Sequence, residues 1–491
     1  MNPVSRRQVL HATGTLGGAA LSAAALGRVG RGLLTGTTAS GPTAADWRAL
    51  AASLDGDVVR RSDADYDQVR LLFDTRFDTT NPLAIVQAAD PADVSEAIRF
   101  ARRFGLRSRP RSGGHSYVGA STVDDGLVID VRRMRSVEYD AASGVVAVGA
   151  GTRSYRIHAV LAEHGRTVPT GTCPTVGAAG LTLGGGVGID SRRHGLSCDA
   201  LTGLTMVTAD GKVRRVGEGR EADLWWASRG GGGGNFAVVT SLRYATHAAE
   251  RMGIFSLDFA WEHAPSVARG WAARIEVMPR SVWCNMRLET GADGSTRVRL
   301  GGCCQPGDED NEALALQRAI GFDAARVTTS ERSFMDAVRY FGGGSTTPRW
   351  AAVSGSDVVS TISKTLAQTL PRTVERRALS GAVSSVILNP LTGAVSDRRA
   401  GATAFPWRHH LAELQWSVRF PSDPSLEAVK AARRWVNGAH QAIASESVGA
   451  YVNRLEPGRS TADYYGANLA RLRRIKAAVD PSDFFRSAYT V

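Results

Sequence analysis

The chain has 491 residues, 43% hydrophobic and 22% charged. These are the proportions of a soluble globular protein long enough for two or three domains, and they exclude a single small module and a disordered or collagen-like chain. The formal net charge of +12 does not mark a nucleic-acid binder: of 59 basic residues only Lys212, Lys364, Lys430 and Lys476 are lysines, the arginines are scattered, and residues 1–40 alone hold four arginines and no acid, leaving +8 for the remainder.

In chain order, the N-terminus opens Ser5-Arg6-Arg7-Gln8-Val9-Leu10 ahead of a mildly apolar run from His11 to Leu26, rich in Ala, Gly and Thr. The pattern reads as a twin-arginine signal, with Ala39 a candidate cleavage point and a secreted mature protein. The run is too short and too broken for a membrane span, which needs about 20 predominantly apolar residues, so the twin-arginine machinery is an expected partner and a stable membrane anchor is not. That machinery moves folded proteins, which raises the expectation of a cofactor inserted before export.

Residues 46–72 read as a polar, helix-compatible lead-in. Residues 81–87 read as a strand, and Asp90-Pro91 opens a helix with Val94, Ile98, Ala101 and Phe104 near helical spacing, stopped by Gly105. Residues 126–131 and 144–149 are strand-like and 154–164 helical, so a layered βα domain for nucleotide handling is expected up to about residue 250. A second domain follows. Near the end Leu469, Leu472, Ile475 and Val479 form the apolar stripe of a helix closed by Asp480-Pro481.

Three glycine-rich segments carry the chemistry: Arg111-Ser112-Gly113-Gly114-His115-Ser116-Tyr117, the run from Gly171 to Gly186 that contains Cys173, Val176, Gly177, Gly180 and Gly185, and Arg229–Phe236 with Gly234 and Asn235. Glycines before a histidine let backbone amides face an anion while presenting the imidazole beside it. None of the three has the spacing of a dinucleotide fingerprint or a phosphate loop. Singly, the histidine reads as a hydrogen-bonded structural residue and the cysteine as a small buried apolar group.

Together with Asp223-Leu224-Trp225-Trp226 and the tail Tyr464-Tyr465-Gly466-Ala467-Asn468, these segments resemble the berberine bridge enzyme-like FAD-linked oxidases of the vanillyl-alcohol oxidase superfamily. The resemblance implies an α+β fold: a PCMH-type FAD-binding domain of two subdomains (41–250), an antiparallel-sheet substrate domain (251–448) and a C-terminal segment (449–491) returning to the FAD domain, after a signal at 1–40. It implies FAD joined through its 8α carbon to His115 and through ring carbon 6 to Cys173, held by Arg111, Ser112, Gly113, Gly114, Ser116, Val176, Gly177, Gly180, Gly185, Gly186, Gly234, Asn235, Tyr465 and Asn468. A neutral imidazole and a thiolate are suitable nucleophiles for an electrophilic flavin, and both links would raise its reduction potential. Val176 stands where the family's valine leaves room for O₂, which implies an oxidase releasing hydrogen peroxide.

The resemblance also exposes a departure. Many relatives carry a second tyrosine as base in a Tyr-x-Asn-Tyr motif; here Tyr451-Val452-Asn453 is followed by Arg454, which cannot act as a base at ordinary pH. Phe405–Trp416 resembles the family's Phe-x-His-Arg…Gln strand, and alternation puts Glu413 and Gln415 on one face, so Glu413 is the first candidate base. Its other reading is an ion pair with Arg408. Tyr451 is the second candidate, and His194 sits where relatives carry a tyrosine that can face the substrate.

Setting Cys173 aside leaves Cys198, Cys284, Cys303 and Cys304, with a link from Cys303 or Cys304 to Cys284 left open. No Cys/His spacing suggests a metal site. The expected activity is removal of hydride from an alcohol or hemiacetal carbon of a carbohydrate or glycosylated small molecule, with O₂ as acceptor. The alternatives are a tailoring flavoenzyme for oxidative cyclisation or desaturation, a flavin dehydrogenase, and a flavin-binding scaffold without turnover.

Overall fold

Asp90 shows how local sequence starts the fold. Its carboxylate accepts from the Ala92 and Asp93 amides, Pro91 occupies the first turn, and the helix Pro91–Arg103 follows. That helix packs beside a four-stranded sheet in the order Asp57–Arg60, Ala84–Gln87, Leu127–Asp130, Ser108–Arg111, whose last three strands are parallel. The computed structural model describes residues 41–491 except Ser422; the expected export signal and candidate cleavage point lie outside them.

A second, antiparallel sheet of five strands runs Val137–Asp140, Val145–Gly149, Ala237–Ala245, Leu201–Thr208, Val213–Gly217. A third, also antiparallel, has eight: Arg326–Arg332, Met252–Phe259, Thr296–Cys304, Trp283–Thr290, Val383–Pro390, Ala412–Arg419, Ala352–Val359 and Ser447–Gly449. The helices Ala264–Val277, Glu309–Ile320, Lys364–Glu375 and Leu426–Ala442 bury their apolar stripes in one core with this third sheet. The result is the expected α+β fold. The strand Ala412–Arg419 is buried on both faces along most of its length.

The C-terminal residues join the core of the first two sheets through Tyr464, Tyr465, Leu472, Ile475 and Phe485. The buried Lys476 ammonium donates to Asn235 O (2.8 Å), Asp480 (2.7 Å) and Phe485 O (3.3 Å), tying the last helix to the third glycine loop.

One expectation needs correction, and one question left open is answered. Residues 46–72 are not one helical lead-in: a helix Ala44–Ala52 is followed by the strand Asp57–Arg60, because Val58 and Val59 extend the first sheet antiparallel to Ala84–Gln87. No cysteine link forms, and Cys198, Cys284, Cys303 and Cys304 are free. Cys303 stands opposite Trp283, and Cys284 opposite Gly302, so Cys284 and Cys303 point to opposite faces of the sheet.

Candidate active site

The first two glycine segments meet backbone to backbone. A Cβ on Gly113 would fall 2.3 Å from Gly177 N, and one on Gly177 would fall 2.2 Å from Ser112 Oγ, so only glycine permits the approach. Ser112 Oγ donates to Ala150 O at 2.6 Å and fixes the first loop. The contact brings His115 and Cys173 to the same place: His115 has a hydrogen bond to the Thr175 backbone, and Cys173 Sγ lies 3.6 Å from Thr175 Oγ1. The His115 ring stacks on Phe73 at 3.9 Å. Burial, helped by the nearby Arg153 charge, pushes its pKa down to about 4, so the ring is neutral over the physiological range.

Across from these loops the strand Ala412–Arg419 presents Glu413 and Gln415. Glu413 is 1% exposed; its Oε2 accepts from Asn389 Nδ2 at 2.8 Å, and its Oε1 lies 3.6 Å from Arg454 Nε. Burial raises the Glu413 pKa above the ordinary carboxylate range, while Arg454 and Asn389 pull against that rise. Gln415 reaches the Tyr117 hydroxyl, and the Arg454 guanidinium lies over the Tyr117 ring at 5.8 Å. Cys173 lies near both Tyr117 and Arg454. Glu413, Gln415, Arg454, Tyr117 and Cys173 therefore face one space.

Tyr451 borders that space in another capacity. Its hydroxyl accepts from Gly186 N–H and Asn453 Nδ2, both at 2.8 Å, and burial pushes its pKa up to about 12. A phenol in that state is a poor proton acceptor near neutrality.

Several residues expected at the cofactor make contacts within the protein. Arg111 is fully buried and gives its N–H groups to Asp130, Val69 O and Arg70 O, because the buried Asp130 carboxylate needs a partner. Asn468 donates to the carbonyls of Ala400, Thr403 and Ala404; Asn235 and Tyr465 both donate to Gly231 O. These side chains shape the third loop and the Phe405 segment. Ser116 Oγ accepts from the amides of Val118 and Ala120, closing its own turn. Val176 gives its carbonyl to Ser154 N–H. Gly185 packs against Phe405 and Tyr451, Gly186 against Ser197 and Gly234 against Pro110, while Gly180 has open space beside it.

His194 is not brought to the group around Glu413. Its ring stacks on His247 at 3.6 Å, beside Asp190 and Glu250 in a separate hollow. Arg408 pairs with Asp199 (2.6 Å) rather than with Glu413, which removes that reading of Glu413. Sequence reasoning passed over two members of the site. Tyr117 lies two residues beyond His115, a spacing that signals a shared side of an extended loop; Asn389 is the register partner of Glu413 on the neighbouring strand, which no local signal reveals.

The residues fit a flavin on two counts. The loop crossing at Gly113 and Gly177 sets two nucleophiles, His115 and Cys173, near one another, and Glu413 Oε1 and Arg454 Nε are buried with no hydrogen-bond partner, left for a ligand to complete. Among the described residues no group of His, Cys, Asp and Glu is placed to hold a metal, and no helix is long and apolar enough to cross a membrane.

Comparison with known proteins gives the same reading. A family model described as an FAD binding domain matches residues 82–217, and one described as berberine and berberine like matches 450–491. An FAD-linked oxidoreductase of Bacillus subtilis (strain 168), YgaK, is 31% identical over 452 residues, covering 88% of this chain and 96% of the relative. The chain belongs to the berberine bridge enzyme-like FAD-linked oxidoreductases. Within this family, the xylooligosaccharide oxidase of Thermothelomyces thermophilus is 30% identical over 438 residues, covering 82% of this chain and 86% of that one. The crystal structure of the carbohydrate oxidase from Microdochium nivale in complex with a substrate analogue superposes with a TM-score of 0.81 at 26% identity, covering 90% and 98% of the two chains. As a berberine bridge enzyme-like protein, the chain is an FAD-linked oxidoreductase.

Proposed function

We propose that this oxidoreductase is an oxidase of carbohydrates or glycosylated small molecules, with Glu413 as the base. The observation that carries the reading is the buried Glu413 carboxyl, raised in pKa and with one oxygen free toward the space shared with Cys173 and Tyr117. The activities named for the Thermothelomyces and Microdochium relatives support the substrate class.

Bound beside His115 and Cys173, FAD would supply the hydride acceptor for the alcohol or hemiacetal carbon, with O₂ as the final acceptor and hydrogen peroxide as the product. The protein handles the proton. Glu413 Oε1 accepts it from the substrate hydroxyl as the carbon becomes a carbonyl, and Asn389 holds the other carboxyl oxygen in place. Arg454 and Tyr117 flank the hydroxyl with polar groups, and Gln415 orients Tyr117. Deep burial of Glu413 excludes water that would compete for its proton.

His115 and Cys173 are the residues we assign to bicovalent attachment, and residues 1–40 to twin-arginine export. Acid precipitation tests the first: colour must stay with the native protein, and its release into the supernatant rejects the assignment. Fractionation of cells carrying the Arg6→Lys/Arg7→Lys variant tests the second, with retention in the cytoplasm expected. For the activity, the yellow holoenzyme is mixed anaerobically with a panel of mono- and oligosaccharides. Bleaching of the flavin by a sugar, reversed by air with peroxide release, is the expected result; no bleaching across the panel rejects a sugar substrate.

A further inference from the structure

Behind the Glu413 strand lies a charge network that the reaction described above does not use. The strand Ala352–Val359 carries Asp357 next to Val358, the register partner of Glu413. Alternation turns Asp357 to the opposite face of the sheet, where it is 1% exposed and accepts from Trp416 Nε1 (2.8 Å) and Ser447 Oγ (2.7 Å). His440, near the end of the helix Leu426–Ala442, bridges two carboxylates: Nδ1 lies 2.6 Å from Asp357 Oδ2 and Nε2 lies 2.7 Å from Glu456 Oε2. Arg459 touches the same pair, at 2.9 Å from Asp357 and 3.1 Å from Glu456.

The network reaches the active site through the chain itself. Tyr451 N–H donates to Ser356 Oγ at 2.9 Å, and the Glu456 carboxylate accepts from Ser356 N–H at 3.1 Å. Glu456 N–H donates to Tyr464 Oη at 2.9 Å. Both ends of the segment 451–456 are thus fastened to the Asp357 strand and its surroundings, and between them stand Asn453 and Arg454.

We propose that His440, clamped between Asp357 and Glu456, is a positioning residue of the oxidation: it pins the segment 451–456 to the substrate sheet and thereby keeps Arg454 against Glu413. The proposal rests on the reading of Glu413 and Arg454 given above. Two ring nitrogens facing two carboxylates must both donate, so the clamp needs the imidazolium. With Arg459 it balances the charges of Asp357 and Glu456; Asp463 stands behind Arg459 at 3.5 Å. Burial and the Arg459 guanidinium, 3.1 Å from Nδ1 and 3.3 Å from Nε2, oppose the charged ring, but hydrogen bonds and charge from Asp357 and Glu456 prevail and raise its pKa to about 9. A histidine raised in the folded state gives its full contribution below its unfolded pKa of about 6.5 and loses it as pH rises through about 9. Above that point one nitrogen presents a lone pair to a carboxylate and the clamp opens.

Hydrogen exchange of the holoenzyme, followed by mass spectrometry of peptides covering 449–459 and corrected for intrinsic rate, tests this without a substrate. Protection of the Tyr451 and Glu456 amides is expected to fall at least about tenfold as pH passes about 9, the scale of a lost charged hydrogen bond. In His440→Gln the protection is already low at pH 7 with no further step near pH 9, and flavin reduction by the best sugar loses kcat with little change in KM. Glu456→Gln behaves the same way, and the double variant is no worse than the more severe single one. A native enzyme without the step, or a step that persists in His440→Gln, overturns the proposal; the native titration decides even if a variant fails to fold. If the step appears but no sugar reduces the flavin, the substrate reading fails and the clamp stands.

Discussion

Glu413 Oε1 and Arg454 Nε lie 3.6 Å apart, beyond hydrogen-bond distance, and both atoms are buried without a hydrogen-bond partner among the described residues. A carboxyl and a guanidinium so placed attract each other, and each keeps an unsatisfied atom for a polar group that approaches from the side. This is the arrangement a proton acceptor needs if a hydroxyl is to enter beside it.

Replacing Glu413 by Gln keeps the shape and removes the proposed base. The expected outcome is a fall in the rate of flavin reduction of about 10²–10⁴-fold, with flavin content unchanged. In the native enzyme kcat/KM is expected to rise as Glu413 deprotonates, and because burial raises its pKa, that acid limb is expected above the ordinary carboxylate range. Stopped-flow reduction across pH checks both points, and a limb that survives in Glu413→Gln sinks the assignment.

Arg454→Met removes a charge that lowers the Glu413 pKa. The acid limb is expected to move to higher pH by about 1–3 units, the usual effect of an opposite charge at this range. The pH profile of kcat/KM is the measurement, and an unmoved or lowered limb contradicts the pairing.

Gly113→Ala places a methyl group 2.3 Å from the backbone nitrogen of Gly177, where no side chain can swing aside. The loops must separate, at a cost of about 1–3 kcal/mol or more. Reduced flavin content and a lower Tm are expected in the purified protein; full occupancy with native stability counts against the crossing.

Asp199→Asn leaves the Arg408 guanidinium, fully buried with 0% side-chain exposure, facing a neutral amide in place of its carboxylate. Loss of one partner of such a pair costs about 3–5 kcal/mol, read as a drop in Tm by calorimetry. The acid limb of activity is expected to stay where it is, since Arg408 does not touch Glu413.

What could be read from the chain alone follows the range of the interactions. Asp90-Pro91 announced its helix because the cap is local, and His115 and Cys173 stood out because their glycine loops are compact motifs. The expectation that Glu413 and Gln415 share a face needed only strand alternation. Asn389 as the partner of Glu413, Asp199 as the partner of Arg408 and the inward turn of Arg111 toward Asp130 depend on strand register and on contacts between distant segments, which no local pattern encodes. The strand Asp57–Arg60 was hidden by its polar flanks and is held by its neighbour in the sheet.

The crossing of the two glycine loops has a mechanical side. His115 and Cys173 are 58 residues apart in the chain, and a flavin bonded to both would be a cross-link closing that loop in the unfolded protein as well as the folded one. By the chain-entropy argument used for disulfides, such a closure is worth about 4 kcal/mol. A cofactor attached in this way would act as a staple, so that cutting either bond would loosen the protein even where the flavin itself stayed in place.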